Sequence, residues 1–150
     1  MTTASFCCLA AWCLLLGVLD LHLRRLPNAL TGIGALAVFG YAALEGRLAV
    51  AAVGALLLAV PYLLCHLLAP AALGAGDVKL AVALGAAAAL AGPSAWVWAA
   101  VAAPLGTAVA AAVFLAHRWR AGGGVRALRH SPVPHGPAMC AATLAAIVAA

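Results

Sequence analysis

Charge is what this chain of 150 residues has least of. Asp, Glu, Lys and Arg together make up 7% of it, and only three residues are acidic. A soluble domain of this length could not clothe its surface with so few charges. Disorder is excluded as well, because disordered chains are rich in polar and charged residues. Other absences narrow the chemistry. No Cys-x-x-Cys pair occurs among Cys7, Cys8, Cys13, Cys65 and Cys140, so neither a zinc ribbon nor a thioredoxin-like motif is present, and these residues read as small apolar side chains. No His-Glu-x-x-His occurs among His22, His66, His117, His130 and His135, which leaves a zinc intramembrane protease without support. Ser5, Ser94 and Ser131 lie outside any Gly-x-Ser-x-Gly, which argues against a serine mechanism. No metal and no cofactor is implied.

What the chain has is apolar length. The hydrophobic fraction is 68%, against roughly 45–50% in soluble proteins. Six apolar segments are read as helices: Ala4–Leu19, Ala29–Leu44, Leu48–Ala69, Val78–Ala91, Ser94–Ala116 and Pro137–Ala150. A bilayer core takes about 20 helical residues to cross, so the short fourth and sixth segments imply tilt or local thinning. Lipid-exposed strands would leave backbone groups unpaired. The expected fold is therefore an all-α integral membrane protein, a six-helix transmembrane bundle formed by residues 1–150 as one domain. Pro61 and Pro104 fall inside segments, where a membrane tolerates kinks. The abundance of Ala and Gly fits either close helix approach or coding bias.

The basic residues orient the bundle. Arg24 and Arg25 lie between the first two segments, Lys79 opens the fourth, and Arg118, Arg120, Arg126 and Arg129 lie between the last two. Alternating helices put all of them on one side, with only Arg47 on the other. Lys and Arg accumulate on the cytoplasmic side, so both termini are expected outside. This use of the net charge of +5 is preferred to nucleic-acid binding. Trp96 and Trp98 then mark the outer interface and Trp119 the inner one. The first segment lacks a basic leading region and is not read as a cleaved signal peptide. The long connection His117–His135 reads as a glycine-rich link and a short basic surface helix, suited to anionic lipid or to a docking partner.

Of the three acidic residues, Glu45 lies in the outer turn Glu45-Gly46-Arg47 and is expected to be solvated. Asp20 and Asp77 both fall at inner ends of spans. A carboxylate beside hydrocarbon is costly and points to function. Two carboxylates about 3 Å apart cannot both ionise and so share a proton. The ionised one can activate a water as general base, and the protonated one can polarise a scissile carbonyl and later donate to the leaving amine. Gly74 and Gly76, just before Asp77, would leave room for an extended substrate strand and allow unusual backbone conformations. A helix N-terminus at Asp77 and a helix C-terminus at Asp20 would make Asp77 the base and Asp20 the proton donor. Lys79 could contact substrate or bias the pair's proton, or serve as a positive-inside anchor, as could Arg24 and Arg25. Pro27 and Asn28 suggest a loose cap for the second helix.

Three stretches, in order, resemble the type IV prepilin peptidase family of membrane aspartic proteases. Asp20-Leu-His-Leu-Arg-Arg-Leu-Pro-Asn28 is similar to the family's Asp followed by basic residues and Ile-Pro-Asn. Gly74-Ala-Gly-Asp-Val-Lys79 is similar to its Gly-x-Gly-Asp-x-Lys core. Pro134-His-Gly-Pro-Ala138 resembles the Pro-aromatic-Gly-Pro opening of its last helix, with His135 in place of an aromatic or apolar residue. The resemblance implies that Asp20 and Asp77 are the catalytic pair, supported by Gly74, Gly76, Lys79, Pro134, Gly136 and Pro137. It implies removal of the basic leader from type IV prepilins or Flp-type pseudopilins at the cytoplasmic face of a multi-pass inner-membrane protein, after a glycine and before an apolar helix. The pilus assembly machinery is a further implied partner. Larger members carry a cytoplasmic insertion between the first two spans and also methylate the new N-terminus. The short connection Leu21–Asn28 looks like that of minimal peptidases and argues against methyltransferase activity. Two other classes compete: a proton-coupled transporter, which would place its acids near the midplane and show inverted repeats, and a catalytically silent pilus-assembly subunit.

Overall fold

The computed structural model describes residues 2–23, 27–70, 73–120 and 135–150. Six helices account for nearly all of them: α1 (Thr3–Leu23), α2 (Asn28–Leu44), α3 (Leu48–Leu68), α4 (Ala75–Ala91), α5 (Pro93–Arg120) and α6 (Gly136–Ala149). The described residues contain no strand. Three stretches are long and apolar enough to cross a membrane: Thr3–Leu23, Leu48–Leu68 and Pro93–His117. Helices α2 and α6 are apolar but shorter, at 17 and 14 residues. Arg24, Arg25, Leu26, Pro134 and the expected surface helix with Arg126 and Arg129 lie outside the described residues.

Every expected segment is a helix, but two ends differ in a way that matters. Helix α1 runs to Leu23, so Asp20 sits inside its last turn. Helix α4 begins at Ala75, so Asp77 sits inside its first turn. Hydropathy falls at a charged residue, whereas backbone hydrogen bonding carries on through it.

Helix α4 is the centre of the molecule. Leu80, Ala81, Ala83, Leu84, Ala86, Ala87 and Ala88 are almost wholly inaccessible. It packs against α2, α3, α5 and α6, while α1 packs chiefly on α6. The closest approach is between α3 and α4. A Cβ on Gly85 would sit 2.6 Å from the Gly54 carbonyl oxygen and 2.9 Å from the Leu58 Cβ. Here the absence of a side chain is what lets two backbones touch, so at this crossing the small residues are used for close packing. Trp96 of α5 adds an indole N–H donated to the Gly54 carbonyl at 3.0 Å. That makes Trp96 a packing residue, while Trp98 remains exposed as an interface residue would be. Between α1 and α2, the Trp12 ring occupies the space a Cβ on Gly34 would need and donates to the Leu30 carbonyl at 3.0 Å.

The connections fix which ends meet. The turn Glu45–Arg47 joins α2 to α3, with Gly46 at a φ of 66° that favours glycine. Arg47 reaches the Leu90 carbonyl at the end of α4, 2.7 Å away. At the opposite end, His66 Nδ1 lies 2.7 Å from the Leu73 carbonyl and closes the α3–α4 connection. The end of α1 and the starts of α2, α4 and α6 gather there.

Candidate active site

Asp77 is the third residue of α4, and its position follows from helix-end chemistry. The first turn of a helix has backbone N–H groups without intrahelical partners. The Asp77 Oδ2 accepts the N–H of Gly74 at 3.2 Å, and the Asp77 N–H donates to the Gly74 carbonyl at 3.1 Å. This is the reciprocal half of a capping box. Gly74 itself is extended, with φ −74° and ψ 149°, a conformation open to any residue. Among the described residues only Gly46 and Gly92 have positive φ. Backbone freedom is thus not what Gly74 and Gly76 supply, contrary to the expectation from sequence; what they leave is space beside a carboxylate. Both Asp77 and Asp20 are buried, at 9% and 7% exposure.

Asp20 approaches from the last turn of α1 and receives the backbone N–H of Gly136, the first residue of α6. Pro137 follows at the start of that helix, where its missing N–H costs nothing. Both carboxylates therefore sit at helix N-termini. Asp20 lies in the last turn of α1, as expected, and α6 adds to it the same kind of end that α4 presents to Asp77. The two carboxylates interact through their charges. The structure thus brings together Asp20, Asp77, Gly74, Gly76, Gly136 and Pro137 at one end of the bundle.

Lys79 takes a defined partner. Its Nζ donates to the Asn28 Oδ1 at 2.7 Å, linking the start of α4 to the start of α2. Asn28 does not cap its own helix; Pro27 occupies that position, with no side-chain cap. The loose cap expected there is replaced by an interhelical link.

Three further residues complete the site. Tyr62 of α3 places its hydroxyl 2.9 Å from His135 Nε2, and the two rings lie 5.5 Å apart at 39°. Thr107 of α5 bonds His135 Nδ1 and the Ala103 carbonyl, the latter at 3.1 Å. Tyr62 also lies within electrostatic reach of Asp77. Burial holds His135 below the ordinary imidazole range, in its neutral form near pH 7. In the sequence His135 stands out only as an unusual residue in its motif, and Tyr62 and Thr107 do not stand out at all. The available signal is a hydroxyl in the middle or inner part of each of two largely apolar spans. No cluster among the described residues could hold a metal ion.

Comparison against known families gives a match. The model of the type IV leader peptidase family matches residues 7–117. The chain belongs to the type IV leader peptidase family. No curated protein and no solved structure shows a significant match. Membership implies a peptidase acting on prepilin leaders, and together with the three long apolar helices it makes this a membrane protein. The matched stretch contains Asp20 and Asp77, as well as Tyr62 and Lys79; His135, Gly136 and Pro137 lie beyond it.

Proposed function

We propose that this leader peptidase is an aspartic endopeptidase that removes the basic leader of type IV prepilins or Flp-type pseudopilins, with Asp20 and Asp77 as its catalytic pair. The observation that carries the reading is the meeting of two buried carboxylates from α1 and α4 at one end of the bundle, each held by a backbone N–H. One carboxylate takes a proton from a water lying between the pair. The resulting hydroxide attacks the scissile carbonyl, and the other, protonated, carboxyl steadies the developing oxyanion and passes its proton to the leaving amine. No metal, cofactor or nucleophilic side chain takes part. Gly74 and Gly76 give an extended substrate strand room beside Asp77. Gly136 and Pro137 hold the α6 end against Asp20, and Pro134 belongs to the same sequence motif.

In this reading all six helices span the cytoplasmic membrane as one domain, with both termini outside and the aspartates at the cytoplasmic edge. That orientation follows from the charges: Lys79 and Arg120 lie at the aspartate end, Arg47 at the other. The short link between α1 and α2 leaves no place for a methyltransferase insertion. The lipid bilayer, the prepilin and the pilus assembly machinery are the partners.

Co-expression with an epitope-tagged prepilin tests the proposal. Asp20→Asn and Asp77→Asn should each abolish leader removal, a loss of at least about 100-fold, with normal membrane insertion. Full processing by either variant ends the aspartic mechanism. Proton flux that is lost in both variants would instead identify a transporter.

A further inference from the structure

The hydrogen bonds around His135 have a direction that can be worked out. A threonine hydroxyl carries one hydrogen, and Thr107 donates it to the Ala103 carbonyl. Toward His135 the Thr107 oxygen can then only accept, so Nδ1 bears the imidazole hydrogen. Nε2 of the neutral ring is left with a lone pair, which accepts the O–H of Tyr62. The network thus assigns the tautomer. It also fixes Tyr62: with its hydrogen turned to His135, its oxygen offers only lone pairs in other directions, and it lies close enough to Asp77 to feel its charge.

We propose that Tyr62 is a positioning residue for the Asp20–Asp77 pair, aimed by the Thr107–His135 hydrogen-bond chain and reversed in polarity when His135 gains a proton. The inference rests on the aspartic-peptidase reading above. In the neutral state the phenol oxygen accepts a hydrogen from the protonated carboxyl or from the water beside the pair, and so orients it. A lone pair offers nothing to a carboxylate, so this state leaves the base free to take a proton. When His135 is protonated, Nε2 becomes a donor. Tyr62 must then accept from it and turn its own O–H outward, where it can donate to the Asp77 carboxylate and blunt its basicity. No covalent bond changes apart from the protonation of the imidazole by solvent. The groups facing His135 are Tyr62 from α3 and Thr107 from α5. Asp20 of α1 is held by the next residue, Gly136, and Asp77 of α4 lies beyond Tyr62. His135 is therefore tied to both halves of the pair. Its burial, which favours the neutral ring, keeps the active polarity in place near pH 7.

The test uses the full-length protein in lipid nanodiscs and a fluorogenic peptide spanning a prepilin leader junction, with kcat and KM followed from about pH 5 to 8. Tyr62→Phe should lower kcat about tenfold, the size of one hydrogen bond of ~1.4 kcal/mol, with KM nearly unchanged. His135→Phe should match that loss and lose the part of the acid-side decline of kcat that belongs to the imidazole, keeping the part that comes from protonation of the aspartate base. His135→Gln can accept from Tyr62 through its carbonyl and donate to Thr107 through its amide. It should recover most of the rate while still lacking the imidazole's share of the acid-side decline. Wild-type kcat in Tyr62→Phe, or an unaltered pH profile in His135→Phe, overturns the proposal. If the wild-type protein cleaves nothing, the peptidase reading fails, and the infrared carboxyl band of the aspartates still decides the role of Tyr62. That band should shift in Tyr62→Phe, and an unmoved band rejects the proposal independently of activity.

Discussion

At the scale of single residues, cost makes some of this protein legible and conceals the rest. A carboxylate at the edge of an apolar span is expensive enough that its presence signals use, and Asp20 and Asp77 stand out for that reason. A hydroxyl carries no such signal. Thr107 bonds the carbonyl of its own helix four residues back, as any threonine in an apolar helix does, so nothing in the sequence distinguishes it from a bystander. Tyr62 and His135 are 73 positions apart, and only folding shows that they meet. Lys79 is a position the sequence leaves open. Its charge suggests a lipid anchor, and its geometry adds a link to Asn28. The two accounts differ measurably. An exposed charge-assisted hydrogen bond contributes about 0.5–1 kcal/mol, so Lys79→Met and Asn28→Ala should each destabilise the protein, and the double variant should lose less than their sum by that amount. A double-mutant cycle on unfolding in detergent measures it; strict additivity would return Lys79 to the lipid.

At the scale of helices, hydropathy locates all six elements and misjudges the ends that carry Asp20 and Asp77. The helices α1 and α4 extend past their apolar runs because Asp20 and Asp77 satisfy helix termini, their neighbour's or their own. Which faces pack is harder to read, since α4 is apolar nearly all round and has no polar face to betray its orientation. Its burial on every side resolves this, and the crossing of Gly54 with Gly85 sets how close α3 can lie. A side chain there must push apart two backbones, one of which carries Asp77. Gly85→Ala should therefore destabilise the protein by about 1–3 kcal/mol, the usual cost of overpacking. Gly40, on the exposed face of α2, provides the contrast, because a Cβ added there would meet nothing within 4 Å. Gly40→Ala should be neutral or stabilising by up to about 1 kcal/mol through helix propensity. Thermal midpoints of the two variants, read in the same detergent, check the ordering; equal midpoints would show that the crossing yields without cost.

At the scale of the whole molecule, the alternation of long and short helices explains where the site lies. The ends of α4 and α6 and the start of α1 are level at one face, where Thr2, Phe6, Ala91, Ile147 and Ala150 line a common depression. Arg47 ties the α2–α3 turn to the same level. Measured from there at 1.5 Å per residue, Asp77 and Tyr62 both stand at a depth of about 21 Å, and the start of α6 at about 20 Å. The hydrocarbon core is about 30 Å thick. Helices α1, α3 and α5 continue past this depth, beyond the level at which α4 and α6 begin. Under the proposed function, a soluble leader would reach the carboxylates from that side while the apolar helix behind it stayed in lipid, which predicts that the aspartate end faces the cytoplasm. The charge pattern gives the same orientation, but it counts residues on loops and says nothing of depth. Reporter fusions join the two arguments. Alkaline phosphatase, active outside, should work when fused at Gly46 or Gly92, and a fluorescent protein that folds only inside should light up when fused at Pro70 or Gly123. If fusions at Gly46 and Gly123 report the same compartment, α4 does not cross between the long helices α3 and α5, and the aspartate end is not the membrane edge that the proposed chemistry needs.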